Sequence, residues 1–112
     1  NIMAGQGKIA EAMDEFQTVL RIDPDHYRAH NNLGMIYASQ GKLDLASRHF
    51  YNAIRVNPND INANINLARL FLHQRTLGQA RLQLETILSL DPDNAFAKET
   101  LKQVQAALEK GR

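Results

Sequence analysis

Apolar residues recur along this chain at helical spacing, in short stretches broken by polar junctions. Three of the junctions hold a proline, and Pro24, Pro58 and Pro92 stand 34 residues apart. Their settings match: Ile22-Asp23-Pro24-Asp25, Val56-Asn57-Pro58-Asn59 and Leu90-Asp91-Pro92-Asp93. A fixed period of that size marks a stack of equivalent structural units. Between prolines, each unit divides into two amphipathic stretches, which predicts a pair of helices. From Tyr27 onward, Leu33, Ile36, Tyr37 and Gln40 follow one helix, which ends at Gly41, a residue that accepts a left-handed backbone. Leu43, Ala46, Phe50, Ala53, Ile54 and Val56 follow a second helix, which stops before Pro58 because proline disfavours helical geometry at the preceding residue. Asp25 and Asp60 are expected to cap the helices that follow them.

Aligning the units by their prolines brings small residues together where helices must touch. Gly34 corresponds to Ala68, and Ala46 to Ala12 and Ala80. A larger side chain there would overpack the contact. Phe16, Phe50 and Leu84 correspond, as do Tyr37 and Phe71, and Leu33, Leu67 and Leu101. Aromatics repeating at core spacing read as packing residues rather than a cofactor box. The expected fold is all-α, an α-α superhelix of antiparallel helix pairs in one domain spanning 1–112. Its parts are a partial repeat (1–26), two repeats (27–60 and 61–94) and a C-terminal capping helix (95–110).

The phase of the period predicts the ends. Asn1–Ala4 would close a missing first helix, with Gly5 and Gly7 as its turn and Lys8–Ile22 as a second helix without its partner. That helix would expose Ile9, Met13, Phe16 and Leu20, a patch suited to a covering helix from a longer parent chain or a second copy. Ala95–Lys110 would turn Leu101, Val104 and Leu108 inward. Its Lys102, Gln105 and Glu109 suit a terminal helix facing water. The chain begins Asn1-Ile2-Met3, as expected of a processed product or an excised piece of a larger repeat protein.

These residues resemble the tetratricopeptide repeat family. In the unit Tyr27–Asp60, Ala29-His30-Asn31-Asn32-Leu33-Gly34-Met35-Ile36-Tyr37, followed by Gly41, Ala46, Phe50, Ala53 and Pro58, matches nearly every family position. His30 stands where the family commonly has Trp. The unit Ile61–Asn94 is looser, with Asn64 at the Trp position, Arg75 at the turn Gly and Leu84 at the Phe. A left-handed Arg75 would cost about 1 kcal/mol, and Gly78 is near enough to shift the turn. The resemblance covers almost the whole chain and implies a helical solenoid that binds other proteins.

Composition narrows the chemistry. Thirteen Lys+Arg against 12 Asp+Glu leave a net charge of +1, no field that would gather nucleic acid or an anionic membrane. No apolar run approaches the roughly 18–20 residues of a membrane span. The absence of cysteine removes disulfides and thiolate metal sites and assigns no compartment. Gly5-Gln6-Gly7-Lys8 lacks the spacing and the preceding strand of a phosphate loop. His26 and His30 lie four apart, but His49 and His73 have no spacing that brings them to the same place, so no metal site is expected. His30 reads as a packing residue and His26 as a helix-start residue. No nucleophile–base pair or paired carboxylates appear, so no catalytic residue, cofactor or enzymatic activity is expected.

The surface of the first helices remains. Helical spacing turns Arg28, Asn31, Asn32, Met35 and Ser39 away from the core, then Asn62, Ile65, Asn66, Arg69 and His73, and on the last helix Phe96, Glu99, Thr100 and Gln103. In the resembled family this surface lines a concave groove for an extended peptide or a partner helix. Asn32 and Asn66 are equivalent by the period, each one residue before a core Leu. An Asn amide carries two donors and an acceptor and can pair with peptide backbone whatever its side chains. The pair resembles the asparagine ladder in the repeat superhelix of O-linked N-acetylglucosamine transferase. Five asparagines (Asn31, Asn32, Asn62, Asn64, Asn66) in two short helices are many for a residue of middling helix propensity. Chaperone-binding members of the family clamp a C-terminal carboxylate with Lys and Asn on the first groove helix, Asn on the second and Lys or Arg on the third. In register those sites fall on Asn31 and Met35, on Asn66, and on Phe96 and Thr100. Only Asn66 agrees, so that clamp is not expected. The expected function is a non-enzymatic scaffold that binds a protein or peptide, with self-assembly through the N-terminal end as the alternative.

Overall fold

The computed structural model describes residues 2–111 and, from residue 7 on, their side chains. Six helices and no strand form among these residues: α1 (Ile2–Ile22), α2 (Tyr27–Ser39), α3 (Leu43–Val56), α4 (Ile61–His73), α5 (Leu77–Leu90) and α6 (Ala95–Lys110). They group into two compact units, Asn1–Pro58 with α1–α3 and Asn59–Arg112 with α4–α6. None of the helices is long and apolar enough to cross a membrane.

In the first unit α2 packs against both α3 and α1. The α2–α3 contact buries Ala29, Leu33, Ala46, Phe50 and Ala53, with Gly34 buried among them. A Cβ placed on Gly34 would lie 2.5 Å from Phe50 Cε1 and 2.7 Å from Cδ1. The ring occupies the space that any side chain at 34 would need. In the second unit α5 packs against α4 and α6. Ala68, Leu84, Ile87, Ala97 and Val104 form one core there, with Leu101 and Leu108 packed against it. The inward set on α6 agrees with the sequence, and Lys102, Gln105 and Glu109 are exposed.

Each proline junction is a tight turn. Asp23 and Asp91 accept from the amides three residues on, His26 (3.1 Å) and Asn94 (3.0 Å), which places Pro24 and Pro92 where a turn favours a fixed φ. The helix that follows is capped by a side chain in each repeat. His26 Nδ1 accepts from the Ala29 amide at 3.1 Å, Asp60 Oδ1 from Asn62 at 3.2 Å, and Asn94 Oδ1 from Ala97 at 2.9 Å. Asp60 caps as expected and Asp25 does not; the 34-residue equivalent of Asp60 is His26. Asp25 instead pairs with Arg55 at 3.1 Å.

The turns within the hairpins share one pattern. Gly41 and Arg75 are both left-handed (φ 78 and 61). Lys42 and Thr76 donate to Tyr37 and Phe71 carbonyls at 2.9 and 3.0 Å. Arg75 therefore takes the strained role itself, and Gly78 sits inside α5 without shifting the turn. The Thr76 hydroxyl adds a bond to the Phe71 carbonyl at 3.1 Å, a contact that Lys42 has no hydroxyl to make.

The N-terminus departs from expectation. No turn forms at Gly5 or Gly7, and α1 is one continuous helix from Ile2. Glycine permits a turn but does not compel one, and inside a helix it costs about 1 kcal/mol relative to Ala. Asn1, assigned to an earlier helix, lies outside the described residues.

Candidate functional site

Buried leucines fix the rotation of the first-type helices. Leu33 and Leu67 are each about 1% exposed, so the residues beside them are held on a defined face. On α2, Arg28 and Met35 are exposed, and Asn31 and Asn32 are half-buried. Arg28 lies over the ring of its neighbour Tyr27, 5.8 Å from the centroid. On α4, Asn62, Arg69 and His73 are exposed and Asn66 is half-buried. Asn64, read from the sequence at the position of the family's Trp, lies inside. It is 1% exposed and turned toward α5, where its Oδ1 accepts from Gln83.

Within the second unit, α4 and α6 bring several predicted residues together. The Arg69 guanidinium lies over the Phe96 ring at 5.2 Å, and Phe96 also packs against the core of that unit. A cation so placed covers an aromatic face while keeping its donors in water. Thr100 lines a cavity of about 410 Å³ with Leu72, Arg75, Leu77, Gln103 and Val104. Arg75 is the one charged group among these six, so an acidic or carbonyl-bearing group would complement the cavity better than a basic one. Glu99 is exposed on the same helix as Thr100.

Of the four apolar residues expected to stand bare on α1, only Ile9 is exposed, at 39%. Met13, Phe16 and Leu20 are half-buried, because α1 packs against α2. Gln40 reaches the Met13 sulfur at 3.7 Å, and Gln17 donates to Tyr37 Oη at 3.4 Å. Among the residues whose side chains are described, the most exposed large apolar ones are Ile22 (82%) and Leu82 (60%).

The histidines divide by role. His26 is a cap and His73 an exposed surface residue. His30 is 7% exposed, and its Nδ1 lies 3.1 Å from His49 Nδ1. Its Nε2 lies 2.7 Å from the Pro24 carbonyl. His49 stacks on Tyr37 with centroids 5.5 Å apart. Burial, and secondarily the proximity of His30, holds the His49 pKa below its usual value. Among the described residues no group of three or more His, Cys, Asp or Glu gathers to hold a metal. The His30–His49 meeting was not visible as a motif. Its signal is a repeated offset: Asn64 and Gln83 occupy the same two positions one period later and also meet.

Residues 27–60 match the tetratricopeptide repeat family, and a second family described as TPR repeat matches residues 1–41. No curated protein matches the chain. Among solved structures, the first TPR of Spaghetti (RPAP3) bound to the HSP90 peptide SRMEEVD is similar, with a TM-score of 0.82 and 25% identity. That match covers 97% of this chain and 89% of the other. The first TPR domain of the human RPAP3 protein gives 0.82 at 24% identity, over 98% and 87%. A mutant of the Thermobaculum terrenum O-GlcNAc transferase gives 0.76 at 23% identity, covering 88% of this chain and 19% of that one.

Proposed function

The chain belongs to the tetratricopeptide repeat family, and we propose that it is a non-enzymatic scaffold whose first-type helices bind an extended peptide through its backbone. The observation that carries this reading is the equivalence of Asn32 and Asn66. Both are half-buried, and both are held in place by a buried neighbouring leucine. An amide so positioned spends less entropy on binding than one on a freely rotating surface side chain.

The neighbouring side chains set what the peptide carries. On the α4–α6 face, Arg69 over Phe96 and Arg75 at the cavity favour an acidic side chain beside an apolar one. On the α2 face, Met35 is 49% exposed and offers an adaptable apolar contact. Phe96 and Thr100 stand where a carboxylate clamp needs a basic residue, so the ligand is a peptide interior rather than a chain terminus. The peptide-bound RPAP3 neighbour supports the general mode. Of Ile9, Met13, Phe16 and Leu20 on α1 only Ile9 is exposed, which favours this reading over self-association through that patch.

Peptides selected from a random display library on the wild-type chain supply the test. Asn32→Ala and Asn66→Ala each remove one amide from one face, and circular dichroism checks that both variants fold. Each is expected to weaken selected peptides that use its face. Unchanged affinity in the double variant removes the claim.

A further inference from the structure

The His30–His49 contact lies outside the peptide-binding faces, and its geometry restricts where its protons can be. The Pro24 carbonyl can only accept, so His30 Nε2, 2.7 Å away, must carry a proton and donate. A neutral His30 then has a bare lone pair on Nδ1. His49 Nδ1, 3.1 Å away, must be the donor to it. One added proton is tolerated, because a single N–H still lies between the two Nδ1 atoms. A proton on both rings in full sets N–H against N–H at that separation, and the bond becomes a repulsion between two cations, one buried and one half-buried.

The second repeat shows the same contact without the titration. Asn64 Nδ2 donates to the Asp60 carbonyl at 2.8 Å and Asn64 Oδ1 accepts from Gln83. The amide pair therefore joins α4 to α5 as the imidazole pair joins α2 to α3, with no group that protonates in this range.

We propose that the His30–His49 contact is a proton-sensitive clasp on the α2–α3 hairpin, closed while the pair carries at most one positive charge and opened when it carries two. Ring, polar and charged groups surround it on α1, α2 and α3. Tyr37 stacks on His49 from α2, and His26 caps α2 one turn before His30. The exposed Asp25–Arg55 pair ties the start of this hairpin to the last turn of α3. Arg48 and Asp44 on α3 are exposed. From α1, Gln17 reaches Tyr37, while Lys8, Glu11, Asp14, Glu15 and Arg21 are exposed.

The sign follows from burial. The folded chain holds His49 below 6.5, so between that lowered value and 6.5 the unfolded chain binds more protons. The stability contributed by the clasp is whole above pH 6.5 and is lost as pH falls through the folded value. One proton changes the opening equilibrium by up to about tenfold per pH unit.

Amide hydrogen exchange on the full chain at pH 7.5 and pH 5.0, expressed as protection factors, compares the α2–α3 and α4–α5 hairpins within one molecule. The expected result is a fall in α2–α3 protection relative to α4–α5 at pH 5.0. That fall should disappear in His30→Asn/His49→Gln, which installs the residues of the second repeat. An unchanged ratio in the wild type, or the same fall in the variant, overturns the proposal. Nitrogen-15 NMR of the wild-type imidazoles gives a check that needs no variant. His30 should carry its proton on Nε2 and His49 on Nδ1 at pH 8, with His49 titrating below 6.5. The opposite tautomers, or a His49 that titrates as a free imidazole, also overturns it.

Discussion

The α2–α3 and α4–α5 hairpins occupy equivalent positions in the period but make the same three contacts with different residues. At the small-residue contact, the first has Gly34 under Phe50 and the second has Ala68 in a core with Leu84. One side of the contact gains a methyl as the other loses ring volume. For the polar contact, the first uses two histidines and the second two amides. At the left-handed turn, the first uses Gly41, while the second uses Arg75 followed by a Thr76 side-chain bond. The period thus specifies a contact to be satisfied, and each repeat satisfies it with a matched pair. Residues from one pair should fail when placed alone in the other.

The largest effect expected from breaking a pair is at Gly34. Gly34→Ala drives a Cβ into a ring that is 1% exposed and should cost about 1–3 kcal/mol in chemical denaturation. Combining it with Phe50→Leu recreates the pairing of the second repeat. The double variant should be more stable than the sum of the two singles by at least about 0.5 kcal/mol. Strict additivity would mean that the pairs are not matched.

The caps come next. Asp60→Ala removes a side-chain cap and should cost about 1 kcal/mol. Asp25→Ala removes only an exposed ion pair and should cost less than about 0.5 kcal/mol. Equal losses would mean that Asp25 also caps α2.

The smallest effect concerns the turns. Arg75→Gly relieves a left-handed residue with a side chain but loosens the unfolded chain, for a net gain of a few tenths to about 1 kcal/mol in thermal melts. Gly41→Ala, with no relief to offer, should lose stability instead.

Much of this fold was legible from residue spacing, because burial repeats with the period and the prolines mark its phase. The helix pair from Tyr27 to Val56 and the inward set Leu101, Val104 and Leu108 on α6 follow from that alone. The cap at α2 was missed by one residue, since Asp25 is the better capping type and His26 the equivalent position; geometry decides which amide a side chain can reach. Gly5 and Gly7 were read as a turn, yet glycine only permits one and the helix continues. The His30–His49 contact depends on how two helices are rotated against each other, which no local pattern states. Asn64, read at the same packing position as His30, is buried as that equivalence implies, but its Gln83 partner depends on the same rotation. The first-helix faces were legible as sets of residues, while the meeting of Arg69 with Phe96 required the structure.

Backbone recognition by Asn66 is tested most directly by a scan of singly N-methylated versions of one selected peptide. Each version removes one backbone N–H, and its affinity is measured against the wild type and Asn66→Ala. In the wild type one methylated position should lose about three- to tenfold in affinity, the worth of one hydrogen bond. In Asn66→Ala that position should lose nothing further. An equal loss in both proteins would show that the asparagine does not hold the peptide backbone.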